Sequence, residues 1–162
     1  MPPMTRRALQ DELALSRGFP SLEEEVYIGL VRTTWQLDAR VHRAYRQGEL
    51  TASQYNVLRI LRGSGEPLSC TEIADRMVTR DSDLTRLLGG LEKRGLVKRL
   101  RAADDARRVD NRITAKGRTL LKRLDQPVQD AIRSQLSKAG KKKLEDLAGL
   151  LEDVRLIAKE AG

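Results

Sequence analysis

The apolar period of this chain changes twice between Leu84 and Leu121, and those changes decide most of what the chain can become. Leu84, Leu87, Leu88 and Leu91 recur at three- and four-residue spacing, which is the packing face of a helix. Gly95 stands where a helix-ending glycine belongs. From there Leu96, Lys98 and Leu100 alternate with Val97, Arg99 and Arg101, a strand pattern on a basic ribbon. Ala102–Ala106 carries an Asp-Asp pair and reads as a turn. Arg108–Ile113 then reads as the return strand, with Val109 and Asn111 on one side and Asp110 and Arg112 on the other. At Thr114 the helical period resumes through Leu120, Leu121, Leu124, Val128 and Ile132. Helix, hairpin and helix in that order leave little freedom of topology.

Charge falls on the same unit. Between Arg86 and Arg123 there are thirteen Lys/Arg and four Asp/Glu, a net of +9, while the whole chain of 162 residues carries +8. The remainder is therefore close to neutral, and the basic unit is built to meet a polyanion. Aromatic residues make up only 3% of the chain, which argues against surfaces that stack sugars or single-stranded bases on rings. Abundant Leu, Arg, Lys, Glu and Ala point to a mainly α fold with a small β-wing.

The flanking segments read as helices with explicit start signals. Residues 1–20 form an N-terminal arm closed by Pro20. Ser21 and Glu24 fit a capping box, and the helix that follows runs to about Gln47. Leu22, Val26, Leu30, Leu37, Val41 and Tyr45 form one apolar stripe on it, with Ile28, Trp35 and His42 as a second line. Thr51 and Gln54 form a second box, with Tyr55, Val57, Leu58 and Leu61 turned inward. Ser69 and Glu72 form a third, opening a short helix whose buried side is Ile73, Ala74 and Met77. The next helix begins between Thr79 and Ser82. Pro127 is expected to bend the helix that contains it. A last helix after Ser137 carries Leu144, Leu147, Leu151, Val154 and Ile157.

Other chemistries find little support. One His and one Cys provide no metal cluster and no nucleophile–base pair, and no phosphate-cradling glycine loop occurs. No enzyme activity, cofactor or metal is expected. A single cysteine, Cys70, permits no intrachain disulfide. It reads as a small half-buried residue or as a redox-sensitive thiol at a helix start. The N-terminal stretch lacks a signal-peptide core, and no apolar run suits a bilayer crossing. A soluble, cytoplasmic protein without a membrane partner is the expectation.

The helix over residues 80–94 is the candidate reader of duplex DNA. Arg80, Asp81, Ser82, Asp83, Thr85 and Arg86 occupy its N-terminal half, where a helix inserted into the major groove touches base edges and phosphates. Arg86 suits guanine O6 and N7. Asp81 and Asp83 favour the helix N-terminus or accept from a cytosine amine, and are no phosphate anchors. At the hairpin tip Asp105 can orient Arg107, and Arg107 and Arg108 suit a narrow minor groove. Ser69 and Arg101 complete the candidate DNA-facing set.

These motifs resemble the MarR family of bacterial winged helix-turn-helix regulators. The carriers are Thr85-Arg86, Leu91-Glu92-Lys93-Arg94-Gly95-Leu96-Val97, Asp105-Ala106-Arg107 and Ile113-Thr114-Ala115-Lys116-Gly117, together with LTASQYNVLRIL at residues 50–61. The resemblance spans residues 21–158. It implies a DNA-binding lobe over 50–117 and dimerisation helices over 21–47 and 118–158. It further implies a homodimer on an inverted-repeat operator with half-sites about 34 Å apart. Gly89 and Gly90 depart from the family pattern, which usually has an acidic residue and an arginine there. The resemblance also implies release by a small aromatic ligand or by oxidation, with Trp35, Arg40 and His42 as candidate effector contacts. From the residues alone, Trp35 reads first as core. The expected function is thus a sequence-specific double-stranded DNA-binding repressor. A basic helical adaptor module and a constitutive architectural DNA-binding protein stay open beside it.

Overall fold

The computed structural model describes residues 9–79, 81–101 and 109–160. The elements run α1 (Leu9–Glu12), α2 (Leu22–Arg46), α3 (Ala52–Ser64), β1 (Leu68–Ser69), α4 (Cys70–Arg76), α5 (Leu84–Lys93), β2 (Val97–Arg101), β3 (Val109–Ile113), α6 (Ala115–Leu136) and α7 (Lys141–Glu160). A single 3-10 turn, Ser137–Ala139, separates the last two helices. The chain divides into two compact units, Met1–Ala39 and Arg40–Gly162, with the division inside α2.

In the first unit, Leu9 of α1 approaches Gly29 of α2. Ser21 Oγ accepts the Glu24 amide at 3.2 Å and so opens α2. Of the apolar stripe here, Leu30 and Leu37 are half-buried and Leu22 and Val26 find no cover. Leu22, Val26, Tyr27 and Val31 are exposed, and Trp35 is 65% exposed with the Arg32 guanidinium 5.4 Å from its ring centre. The reading of Trp35 as core does not hold among the described residues, where its ring is mostly exposed beside Arg32.

The second unit contains the core. Its centre is Val57, Leu58 and Leu61 of α3, Ile73 of α4, Leu88 and Leu91 of α5, and Leu121 and Leu124 of α6, all fully or almost fully buried. Each helix starts where its cap places it. Thr51 Oγ1 accepts the Gln54 amide at 3.2 Å while Gln54 Oε1 accepts the Thr51 amide at 3.1 Å. Ser69 and Glu72 exchange the same two bonds. Thr114 Oγ1 accepts the Gly117 amide at 3.1 Å. Gly95 takes φ +68°, and the amides of Gly95 and Leu96 return to the carbonyls of Glu92 and Leu91, closing α5. Gly117 is required for a different reason. A Cβ there would run into the Leu96 carbonyl and Ile113 Cγ1 where α6 leaves the sheet. A bidentate pair from Arg62 to Asp125, at 2.8 and 2.9 Å, ties α3 to α6.

Several elements differ from the sequence expectation. The hairpin strands are antiparallel and in register from Val97↔Ile113 to Arg101↔Val109, as alternation implies. A third strand joins them, giving the order β1-β3-β2, with Leu68 opposite Asn111 and Ser69 opposite Asp110. Two residues are too few to show alternation, so β1 has no signal of its own. Asn111 is wholly buried and donates to the Leu68 carbonyl at 3.1 Å. Ala74 is exposed, so α4 buries Ile73 and part of Met77 only. Helix α6 keeps Pro127 inside it, as the sequence pattern implies. None of the apolar residues of α7 is buried. Among the described residues no helix is long and apolar enough to cross a membrane, and no group of His, Cys, Asp and Glu is placed to hold a metal ion.

Candidate nucleic-acid interface

Helix α5 starts later than its sequence suggests, and the cause is local. The Asp81 carboxylate accepts the Asp83 amide at 3.0 Å, a turn that competes with helix formation. Asp83 then becomes the N-cap, accepting the Arg86 amide at 3.1 Å. Asp81, Ser82 and Asp83 therefore precede the helix rather than lying in its first turns. The Asn56 side chain accepts the Val78 amide at 3.0 Å and anchors the segment before α5 to α3.

The arrangement puts Thr85 and Arg86 on the outer side of α5, while Leu84, Leu88 and Leu91 are buried against the core. Arg86 is 86% exposed, yet its Nε lies 2.6 Å from Asp83 Oδ2. The Arg86 guanidinium, and after it the Arg86 amide, hold the Asp83 carboxyl below its ordinary pKa. Asp83 is thus an ionised cap that fixes the start of the helix and the direction of its arginine. An open cleft of about 620 Å³ runs between the N-terminus of α3 and this face, lined by Thr51, Gln54, Asp83, Arg86, Gly89 and Lys93 among others. A Cβ on Gly89 would meet nothing.

The hairpin adds a second cationic surface. Lys98 and Arg112 are exposed and directly opposite across β2 and β3. Like charges facing each other across strands repel, and a phosphate between them would relieve that repulsion. Neither residue was singled out by sequence reasoning. The signal was present in the alternation, but which positions oppose each other depends on register. Arg99 is partly buried, its amide donating to Glu92 Oε1 at 3.3 Å.

The other expected residues fall as follows. Ser69 is committed to its cap, its hydroxyl donating to Glu72 Oε2 at 2.7 Å. Ser82 is exposed just before α5, and Arg101 is exposed at the end of β2. Arg80, Asp105, Arg107 and Arg108 lie outside the described residues, as does the turn 102–106. Arg40 and His42 are exposed, with the His42 ring centre 6.0 Å from that of Tyr45. Cys70 is half-buried, 3.9 Å from Asn111 Nδ2.

Comparison with known proteins agrees with this geometry. A sequence profile described as the MarR family matches residues 50–109, from the start of α3 to the start of β3. A MarR transcription factor from Planctomyces limnophilus is 38% identical over 83% of this chain and 98% of its own, with a TM-score of 0.64. The HTH-type transcriptional regulator FarR of Neisseria gonorrhoeae is 28% identical over 85% of this chain and 93% of its own length. The structure of NadR in complex with 4-hydroxyphenylacetate is 28% identical, covering 85% of this chain and 97% of that one, with a TM-score of 0.69.

Proposed function

This chain belongs to the MarR family of DNA-binding transcription regulators, and on that premise we propose that it acts as a homodimeric repressor of an inverted-repeat operator. The observation that carries the DNA half is the pairing of two outward cationic features: Arg86 aimed by Asp83 on α5, and Lys98 opposite Arg112 on the hairpin. A helix that exposes Thr85 and Arg86 suits the major groove, where an arginine discriminates guanine by roughly 1–3 kcal/mol. The hairpin cations suit phosphates, which position the protein without reading sequence. Ser82, Arg101 and, from the sequence pattern, Arg80, Arg107 and Arg108 extend the same surface. Ser69 and Asp83 act on it indirectly, as caps.

The dimer half is supported by apolar surface left open in the single chain. Leu22, Val26, Tyr27 and Val31 on α2, and Leu147, Leu150, Leu156 and Ile157 on α7, are exposed. Monomeric proteins seldom leave so many large apolar side chains uncovered on one element. In this reading residues 21–47 and 118–158 pair across a two-fold axis, and residues 50–117 bind DNA. A dimer seated on a promoter excludes polymerase, hence a repressor. The likeness to NadR, solved with 4-hydroxyphenylacetate, supports release by a small aromatic acid. A DNA-binding regulator has its place in the cytoplasm and needs no catalysis of its own.

Selection of bound sequences from a random duplex pool tests this reading. The expected product is an inverted repeat with half-sites about 34 Å apart. A pool that stays random would favour the architectural alternative, and no retained duplex would favour the adaptor. Sedimentation at micromolar concentration is expected to give twice the 18.2 kDa of one chain.

A further inference from the structure

Between Trp35 and Ile132, Val78 is the one large apolar side chain among the described residues that stands exposed, at 84%. It lies in the segment between the end of α4 and the Asp83 cap of α5. Its neighbour Met77 packs against the core, and the chain then presents Val78 to the outside. A lone exposed apolar residue is ordinary on a protein surface, but this one is held in place. Its amide donates to Asn56 Oδ1 at 3.0 Å, a bond that spans 22 residues and pins the segment to α3. A β-branched side chain on a fixed backbone keeps few rotamers.

The pin sets Val78 beside the candidate base-reading surface. Asn56 follows Ser53 by three positions on α3, so the two share one side of that helix. Ser53 lines the cleft that Asp81, Asp83 and Arg86 also line. Val78 and the start of α5 are thus fixed to the same edge of α3. A recognition helix reaches base edges with its N-terminal residues, which carries this edge toward the major groove. The Val78 side chain has no polar atom to offer a phosphate or a base heteroatom. Of the groups that base pairs display in the major groove, the C5-methyl of thymine is the apolar one.

We infer that Val78 is a specificity-determining residue, whose side chain packs on a thymine C5-methyl in each operator half-site. The contact rests on the reading of the chain as a regulator that sets α5 in the major groove. It supplies what Arg86 cannot. An arginine suits guanine, whereas a methyl contact singles out thymine. Because neither partner is charged, the contact leaves the salt dependence of binding unaltered. Its expected worth is about fourfold in affinity per half-site, that of burying one methyl-sized group.

The test uses the full chain and the duplex it selects from a random pool, with each thymine replaced in turn by uracil. The exchange deletes the C5-methyl and leaves base pairing intact. In the unaltered chain, uracil at one position of a half-site is expected to weaken binding about fourfold, and the symmetry-related position to behave alike. Val78→Ala changes an exposed side chain and leaves its amide on Asn56, so the thermal midpoint is expected to hold. On a duplex with uracil at both positions, this variant and the unaltered chain are expected to bind alike. On the thymine duplex the variant is expected to bind no better than that. Its affinity for random duplex and its salt slope are expected to match those of the unaltered chain. A uracil penalty that persists at full size in Val78→Ala, or thymines that all tolerate uracil, would overturn the methyl contact and leave the regulator reading standing. An equal loss on random duplex in Val78→Ala would overturn the base-reading role. Failure to select any duplex would overturn the contact and the regulator reading together.

Discussion

The Asp83 carboxylate holds Arg86 twice, accepting its backbone amide at 3.1 Å and its Nε at 2.6 Å. One acid thereby starts the recognition helix and aims the arginine that follows. In the proposed reading this explains how an acidic residue is tolerated on a DNA-facing surface, since its charge is already answered by Arg86.

Replacing Asp83 therefore separates two effects. Asp83→Ala removes the cap and the arginine's support, and is expected to lower both the thermal midpoint and the discrimination between operator and random duplex. Asp83→Asn keeps an acceptor for the amide and is expected to fold nearly as well while still blurring discrimination. The acid's pKa is depressed in the folded chain, first by the Arg86 side chain and then by its amide. Its stabilising contribution is thus fully present above about pH 4, the ordinary aspartate value, and is lost as pH falls through the lower folded value. The stability gap between the wild type and Asp83→Asn should close below pH 4 in acid-unfolding curves. A gap that persists to the lowest pH would contradict the assignment.

Lys98 and Arg112 are register partners across β2 and β3, a placement in which like charges are unfavourable. Lys98→Gln is expected to leave the hairpin as stable or slightly more so, and to weaken binding to every duplex. The slope of log affinity against log salt should become shallower by about one unit, one phosphate contact fewer. Anisotropy titrations over a range of salt concentrations measure it. An unchanged slope would place Lys98 away from the phosphates.

Gly89 lies inside α5 with open space where a Cβ would stand. Alanine at an interior helix position is favoured over glycine by about 1 kcal/mol. Gly89→Ala should therefore raise stability by about that amount in urea unfolding. Because the open side of Gly89 lines the cleft beside Arg86, the same variant is expected to lose duplex affinity. A more stable variant with unaltered affinity would show that the duplex keeps clear of this part of the helix.

Leu150 of α7 is 63% exposed in the single chain. Leu150→Glu removes no core contact, so it is expected to leave the helical circular dichroism signal unchanged and to shift sedimentation toward the 18.2 kDa species. A variant that remains dimeric at low micromolar concentration would move the interface off this face.

Much of the helix–hairpin unit was legible along the chain. Thr51, Ser69 and Thr114 announce their helices because a cap needs only a residue three positions away. The switch at Gly95 announces the hairpin because periodicity is also local. The start of α5 was misread since two acidic side chains compete for neighbouring amides, and only geometry decides which of them caps. Spacing places Arg86 on the outer face of α5, whereas its hold by Asp83 has no signal in the spacing.

What the amino-acid order determined by itself is the list of elements, their polarity and the concentration of charge on one of them, since each depends on residues within a turn or two of helix or strand. Tertiary structure alone decided the third strand at Leu68–Ser69, the burial of Asn111, the facing of Lys98 and Arg112, and the grip of Arg94 on residues 48 and 49. Those partners are brought together by chain closure and strand register. No local propensity records which distant residue will stand opposite.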